Sequence, residues 1–300
     1  MRITSNSAAA AASDGLAALR ERIARAQAQI TSGKRFDAPS DDPVASQQAL
    51  RNDRETRALA QYRRTIAAAK HRADFEDNAL QSLSTVLTRA REIAIQQGDS
   101  SSNPSSRLQA AAEVNGLLAQ AVTLASVRDG DEYVFGGAQS TTAPYTLSEG
   151  AAYSFSTTGG GPVGARRVEI GRGETMAPVH DGVTVFGTTS SGPLKTLQDL
   201  STALISGDVT QVTSQLAGLA QAQVDLQANV SDTGARANRL EIAETNLAAL
   251  TAQLSARSSA LRDTDMESAM TELVTRQTTY QAAMAATSRV LTMSLTDYLR

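Results

Sequence analysis

Apolar residues recur at alternating steps of three and four along most of this chain, and the breaks in that pattern mark where one helix should give way to the next. From Leu16 the run is Leu16, Leu19, Ile23, Ala26 and Ile30, a single heptad-spaced stripe. Ser13 or Asp14 is placed to cap its start, and Gly33 to take a left-handed conformation after its end. Lys34 and Arg35 then fall where cations favour the negative end of a helix dipole. A second helix is expected from Asp42 and Pro43, an N-cap followed by a residue whose φ is already helical. No breaker follows before Gly98, and Leu59, Tyr62, Ile66, Ala69, Ala73, Leu80, Leu83, Leu87, Ala90 and Ala94 share one stripe, interrupted only by Glu76. At ~1.5 Å per residue such a helix would be about 80 Å long.

"GDSSSNPSSR", from Gly98 to Arg107, is a loop by composition. A third helix is expected behind it, with Leu108, Ala111, Val114, Leu118, Ala121 and Leu124 on its face, ending near "RDGDE". The texture then changes. Between Tyr133 and Thr189 the stretches "YVFGG", "AAYSFS", "ARRVEIG" and "GVTVFG" alternate with Gly- and Pro-containing segments and read as short strands. Phe135, Phe155 and Phe186 all lie here, so this insert is the one place with a conventional small core. After Pro193 the helical pattern returns. Leu240, Leu247, Leu250, Leu254 and Leu261 form one seam; Met266, Met270, Leu273, Gln277, Tyr280, Met284, Thr287 and Leu291 form another. Gly234 either ends a helix or sits inside one at a cost of about 1 kcal/mol, where a backbone packs closely.

The expected fold is mainly α. It is a long antiparallel helical bundle and a terminal coiled coil, with a small inserted β domain. Neither terminal stripe can bury itself alone, and pairing the first helix with the last is the simplest solution. Three parts follow: residues 1–35 with 265–300 as the terminal coiled coil, residues 36–130 with 194–264 as the bundle, and residues 131–193 as the β insert.

Composition sharpens this picture. The 300 residues include no Trp, and Phe, Tyr and Trp together make up 4%. Few bulky aromatics suit thin seams between helices better than a spherical core, which implies an elongated protein. The formal net charge of −3, from 28 Lys plus Arg and 31 Asp plus Glu, gives no drive towards nucleic acid. With no cysteine, disulfides, thiolate metal sites and Cys nucleophiles are excluded. "MRITSNSAAAAASDG" does not read as a cleaved secretory signal, and no run reaches the eighteen apolar residues a membrane span needs.

Candidate chemistry is sparse. Asp41 and Asp42 could bind a metal or act as an acid/base pair, but adjacent carboxylates before Pro43, with no other ligand type nearby, read as helix capping. "GGGPVG" matches a dinucleotide-binding spacing formally, yet the strand-like "ARRVEI" after it denies the required helix, leaving a hairpin loop. His71 and His180 are the only histidines; both are expected at the surface, and no Ser sits in a G-x-S-x-G turn. The methionine series could be a soft ligand surface, though its heptad spacing favours a seam. Met1 to Arg35 carries six basic and two acidic residues and could lie on a membrane. Its narrow stripe without Trp, and with no Phe before Phe36, favours a partner helix instead. Neither a catalytic residue, a cofactor nor a metal site is expected.

"ITSGKRFDAPSDDPVASQQAL" closely resembles the joint after the first helix of bacterial flagellins and their junction relatives. "GARANRLEIAETNLAALTAQLSARSSALRDTDMESAMTELVTRQTTYQAAMAATSRVLTMSLTDYLR" resembles their C-terminal region. "DEYVFGG", "ARRVEIGRGETMAPVHDGVTVFG" and "SLTDYL" are similar to the hook-associated protein 3 branch of that family, whereas the Ala-rich "SAAAAASDG" departs from it, since relatives carry bulkier residues there. The resemblance implies a non-enzymatic axial subunit at the hook–filament junction, exported through the flagellar type III channel without a cleaved signal. It implies as partners copies of itself, the first hook–filament junction protein, flagellin and, before export, a chaperone. On that basis Leu16, Leu19, Ile23 and Ile30, facing Met270, Leu273, Tyr280, Met284, Leu291 and Leu295, would form the assembly seam. Gly33, Arg35, Asp41, Asp42 and Pro43 would form the joint between coil and bundle. A minor flagellin forming the filament itself and a non-flagellar coiled-coil scaffold are the alternatives.

Overall fold

A computed structural model of the chain describes residues 3–99, 103–158 and 161–298, with side chains for residues 10–99, 103–158 and 161–289. Seven helices carry the described fold: α1 (Ile3–Ser32), α2 (Pro43–Gln97), α3 (Pro104–Ala125), α4 (Gly182–Phe186), α5 (Pro193–Ser206), α6 (Val209–Arg262) and α7 (Met266–Tyr298). Between α3 and α4 lie six short strands: β1 (Arg128–Asp129), β2 (Glu132–Tyr133), β3 (Tyr145–Ser148), β4 (Ser154–Thr157), β5 (Val168–Gly171) and β6 (Glu174–Met176). The chain divides into two compact units, residues 59–249 and residues 1–58 with 250–300.

In the larger unit the long-helix stripe is the core. Leu59, Ile66, Ala69, Ala73, Leu80, Leu83, Leu87, Ala90 and Ala94 are buried on α2, and Glu76, which interrupts that stripe, is fully buried among them. From Ala79 onward these residues join one continuous cluster with Val114 and Leu118 of α3, Leu197 and Leu200 of α5, and Leu219 and Leu226 of α6. The helix ends follow their sequence chemistry. Asn103 accepts from the Ser105 N–H ahead of Pro104, and Gly207, at φ 74°, closes α5. Leu108, expected on the inner face of α3, is 55% exposed; the face turns instead on Ala110, Ala111 and Val114, whose small side chains let neighbouring helices approach. Gly234 lies inside α6 with open space around it.

Among the described residues between α3 and α4 are three separate antiparallel hairpins, β1–β2, β3–β4 and β5–β6. The core of this insert is aromatic. Phe135 and Phe186 meet edge to face at 4.9 Å, with Tyr145 6.1 Å from both Phe155 and Phe186. These rings belong to the same cluster as the helices.

Two local expectations are corrected. "GVTVFG" is not a strand but the helix α4. The Asp181 carboxylate accepts from the Thr184 N–H at 2.9 Å and caps the turn, which outweighs the β preference of two valines over so short a segment. α1 starts well before Ser13 and Asp14, which lie inside it; the Ser13 hydroxyl donates back to the Ala10 carbonyl rather than capping.

Candidate assembly seam and joint

The smaller unit contains every residue expected in the seam and the joint. At the joint, Gly33 takes φ 69°, and its N–H still bonds the Gln29 carbonyl at 2.9 Å. The backbone then runs beside the α6–α7 connection: the Arg35 N–H donates to the Arg262 carbonyl at 2.7 Å and the Thr264 N–H to the Gly33 carbonyl at 2.9 Å. Lys34 and Asp263 form the bridge between them. The side chains reinforce this pairing. Arg262 makes a two-pronged ion pair with Asp53 on α2, at 3.2 and 2.7 Å, and Arg35 reaches Asp42 at 3.1 Å.

Both aspartates of the double-Asp stretch serve the backbone. Asp42 Oδ1 accepts from the Ala45 N–H at 2.9 Å and so caps α2 behind Pro43; Asp41 Oδ2 accepts from the Ala38 N–H at 3.1 Å. The α7 start has a matching cap. Asp265 accepts from the N–H groups of Glu267 and Ser268 and from the Ser268 hydroxyl, and the Ser268 hydroxyl bond, foremost, holds its carboxyl below the usual carboxylate range. The partnership of residues 33–35 with 262–264 was not visible in the sequence. Its only trace is the cluster of capping aspartates at both joints.

Along α1 and α7 the two helices pair, and Ala26, at 0% exposure, and Ala269, at 7%, are their buried apolar residues among those described. Leu16, Leu19, Ile23, Ile30, Leu273 and Tyr280 are only half-buried. Met270 and Met284 are 52% and 46% exposed, flanking the half-buried stripe. Leu291 and Leu295 lie outside the residues whose side chains are described.

The geometry shows why. α7 carries two interleaved registers of three- and four-residue steps that share Leu273, Tyr280 and Thr287. One adds Ala269, Arg276 and Ala283, small residues plus a long flexible one; the other adds Met266, Met270, Gln277 and Met284. α1 takes the first. Arg276 then donates to the Arg22 carbonyl at 2.8 Å, and the Arg20 guanidinium reaches the Tyr280 hydroxyl while lying 5.4 Å from its ring centroid. By hydrophobicity alone the bulkier register ranks first, because its methionines outweigh the alanines of the other.

The bacterial flagellin N-terminal helical region matches residues 3–138 and the flagellin C-terminal helical region matches residues 215–299. The chain belongs to the bacterial flagellin family. Among curated relatives, the flagellar hook-associated protein 3 of Salmonella typhimurium is 27% identical over 164 residues, which are 54% of this chain and 50% of that protein. The protein of the same name from Escherichia coli matches to the same extent. The chain thus matches about half the length of these curated relatives.

Two solved structures share the fold. A putative flagellar hook-associated protein from Vibrio parahaemolyticus has a TM-score of 0.65 at 20% identity, covering 74% of this chain and all of that one. Xanthomonas campestris FlgL has a TM-score of 0.60 at 17% identity, covering 69% of this flagellin-family chain and 99% of its own. Long helices with a small β region are therefore the shared architecture.

Proposed function

We propose that the chain is a structural, non-enzymatic subunit of the bacterial flagellum that joins hook to filament by helical self-assembly through α1 and α7. One observation carries this reading: the pair formed by these two helices leaves its large apolar side chains half-buried and a row of methionines exposed, so neighbours must complete it. The curated relatives named hook-associated protein 3 support the junction assignment over a filament role. In this proposal residues 1–35 with 265–300 form the inner assembly part, residues 36–130 with 194–264 the bundle, and residues 131–193 the outer insert. Gly33, Arg35, Asp41, Asp42 and Pro43 set the angle at the joint. The partners are copies of the chain, the first junction protein and flagellin, with a chaperone holding α7 before export to the cell exterior. Among the described residues no helix is long and apolar enough to cross a membrane.

The test is Leu273→Asp in the full chain. Helix content and the larger unit should persist while incorporation into flagella is lost. Immunogold labelling of the unaltered chain should mark the hook–filament boundary; label spread along the filament would indicate a minor flagellin instead, and normal flagella from Leu273→Asp would overturn the seam.

A further inference from the structure

His180 is not at the surface. It is 7% exposed and lies between α2 and α6, against two carboxylates. Its Nδ1 is 2.6 Å from Glu76 Oε1, the same oxygen that accepts the His180 backbone N–H at 3.0 Å. Its Nε2 is 2.9 Å from Asp232 Oδ2 on α6. A neutral imidazole can donate from only one nitrogen, so a carboxylate at each nitrogen calls for a proton on both.

The surroundings favour that state. Glu76 is wholly buried, and a carboxylate there requires a paired positive charge. Its Oε2 has no hydrogen-bond partner, so a proton placed on that oxygen would find no acceptor. Other charges near the row are already engaged. Arg236 binds Asp232 at 2.7 Å and also donates to the Ala177 carbonyl; Asp181, next in sequence to His180, caps α4 and accepts from the Gly164 N–H. Arg72, one turn before Glu76 on α2, is held by Glu132 and the Tyr133 carbonyl.

We propose that Glu76, His180 and Asp232 form a proton-dependent latch, in which a doubly protonated His180 ring clamps the 176–187 segment of the insert between α2 and α6. Loss of one proton to solvent breaks one of the two ring bonds. It also leaves the buried Glu76 carboxylate with no paired positive charge, so the segment loosens from the helices. The arrangement makes the docking of the 176–187 segment sensitive to pH.

Imidazole proton–nitrogen correlation spectra of the full chain, recorded as pH is raised, test this, with exposed His71 as the internal reference. At pH 7 His180 should show protons on both nitrogens. Their loss at higher pH should coincide with hydrogen exchange in residues 176–187 speeding up by about tenfold or more relative to the intrinsic rate at each pH, the scale of a broken charge-assisted bond. Asp232→Asn, at a half-exposed position that tolerates change, should move this release to lower pH; His71→Gln should leave it in place. A neutral, singly protonated His180 at pH 7 beside a protonated Glu76 would overturn the latch. So would loss of the proton without a change in exchange.

Discussion

Tyr145 shows how one polar atom can hold a small insert in place. Its ring is buried among Phe155 and Phe186, and its hydroxyl proton lies between the carbonyls of Gly182 and Gly187, at 2.8 and 2.7 Å. Burial pushes the hydroxyl's pKa up from the usual tyrosine value, which keeps it a donor at all ordinary pH. Tyr145→Phe should therefore cost about 1–3 kcal/mol, since two buried carbonyls lose their donor, and urea unfolding measures it. Gly187 lies beside it at φ 86°. A Cβ there would come within 2.2 Å of the Ser191 carbonyl oxygen and 2.6 Å of the Gly192 Cα. Both contacts are backbone and cannot swing away, so Gly187→Ala should destabilise by ~3 kcal/mol or more, whereas alanine at Gly234, which meets nothing, should be neutral or stabilising. A single thermal-melting comparison of the two variants separates these outcomes.

At the scale of elements, the helices were legible because their stripes are long: ten residues spaced along α2 leave no other periodicity to choose. The insert was legible as a change in texture, but its parts were not. Over five residues the preferences of Val, Thr and Phe are outweighed by one capping aspartate, and so a strand expected at "GVTVFG" is a helix. His180 was expected outside because no sequence rule shows that Glu76, 104 residues earlier, faces it. The pairing of α1 with α7 was half legible for a different reason, since α7 offers two registers and the choice belongs to α1.

The attachment of β1–β2 to α2 is a further element-scale device. The Arg72 guanidinium, with Arg166 beside it, holds the Glu132 carboxyl below the usual carboxylate range. A depressed carboxylate contributes stability that is fully present above its unfolded value, about 4.3, and lost as pH falls through the folded one. Proteolysis near residues 128–133 should thus accelerate in acid below about pH 4, and Glu132→Gln should show the faster cleavage already at neutral pH.

For the molecule as a whole, the two units differ in what they bury. Among the described residues, the buried apolar side chains of the smaller unit are Ala26, Ala45, Ala49, Leu254 and Ala269, four alanines and one leucine. The larger unit buries many leucines together with Ile66, Ile93, Ile170, Phe135, Phe155 and Phe186. Limited proteolysis of the full chain should accordingly trim both ends quickly and leave a resistant fragment within residues 59–249. Under the proposed function the same imbalance would drive assembly, because helices that bury so little in the free chain gain most from neighbours. The absence of native cysteine allows a direct measurement. A single Met270→Cys should react readily with a thiol reagent in the free chain and be protected once the chain is in the flagellum, while a cysteine at exposed Glu149 reacts equally in both. Equal reactivity of Met270→Cys before and after incorporation would show that the outer face of α7 stays bare, and would contradict assembly through this seam.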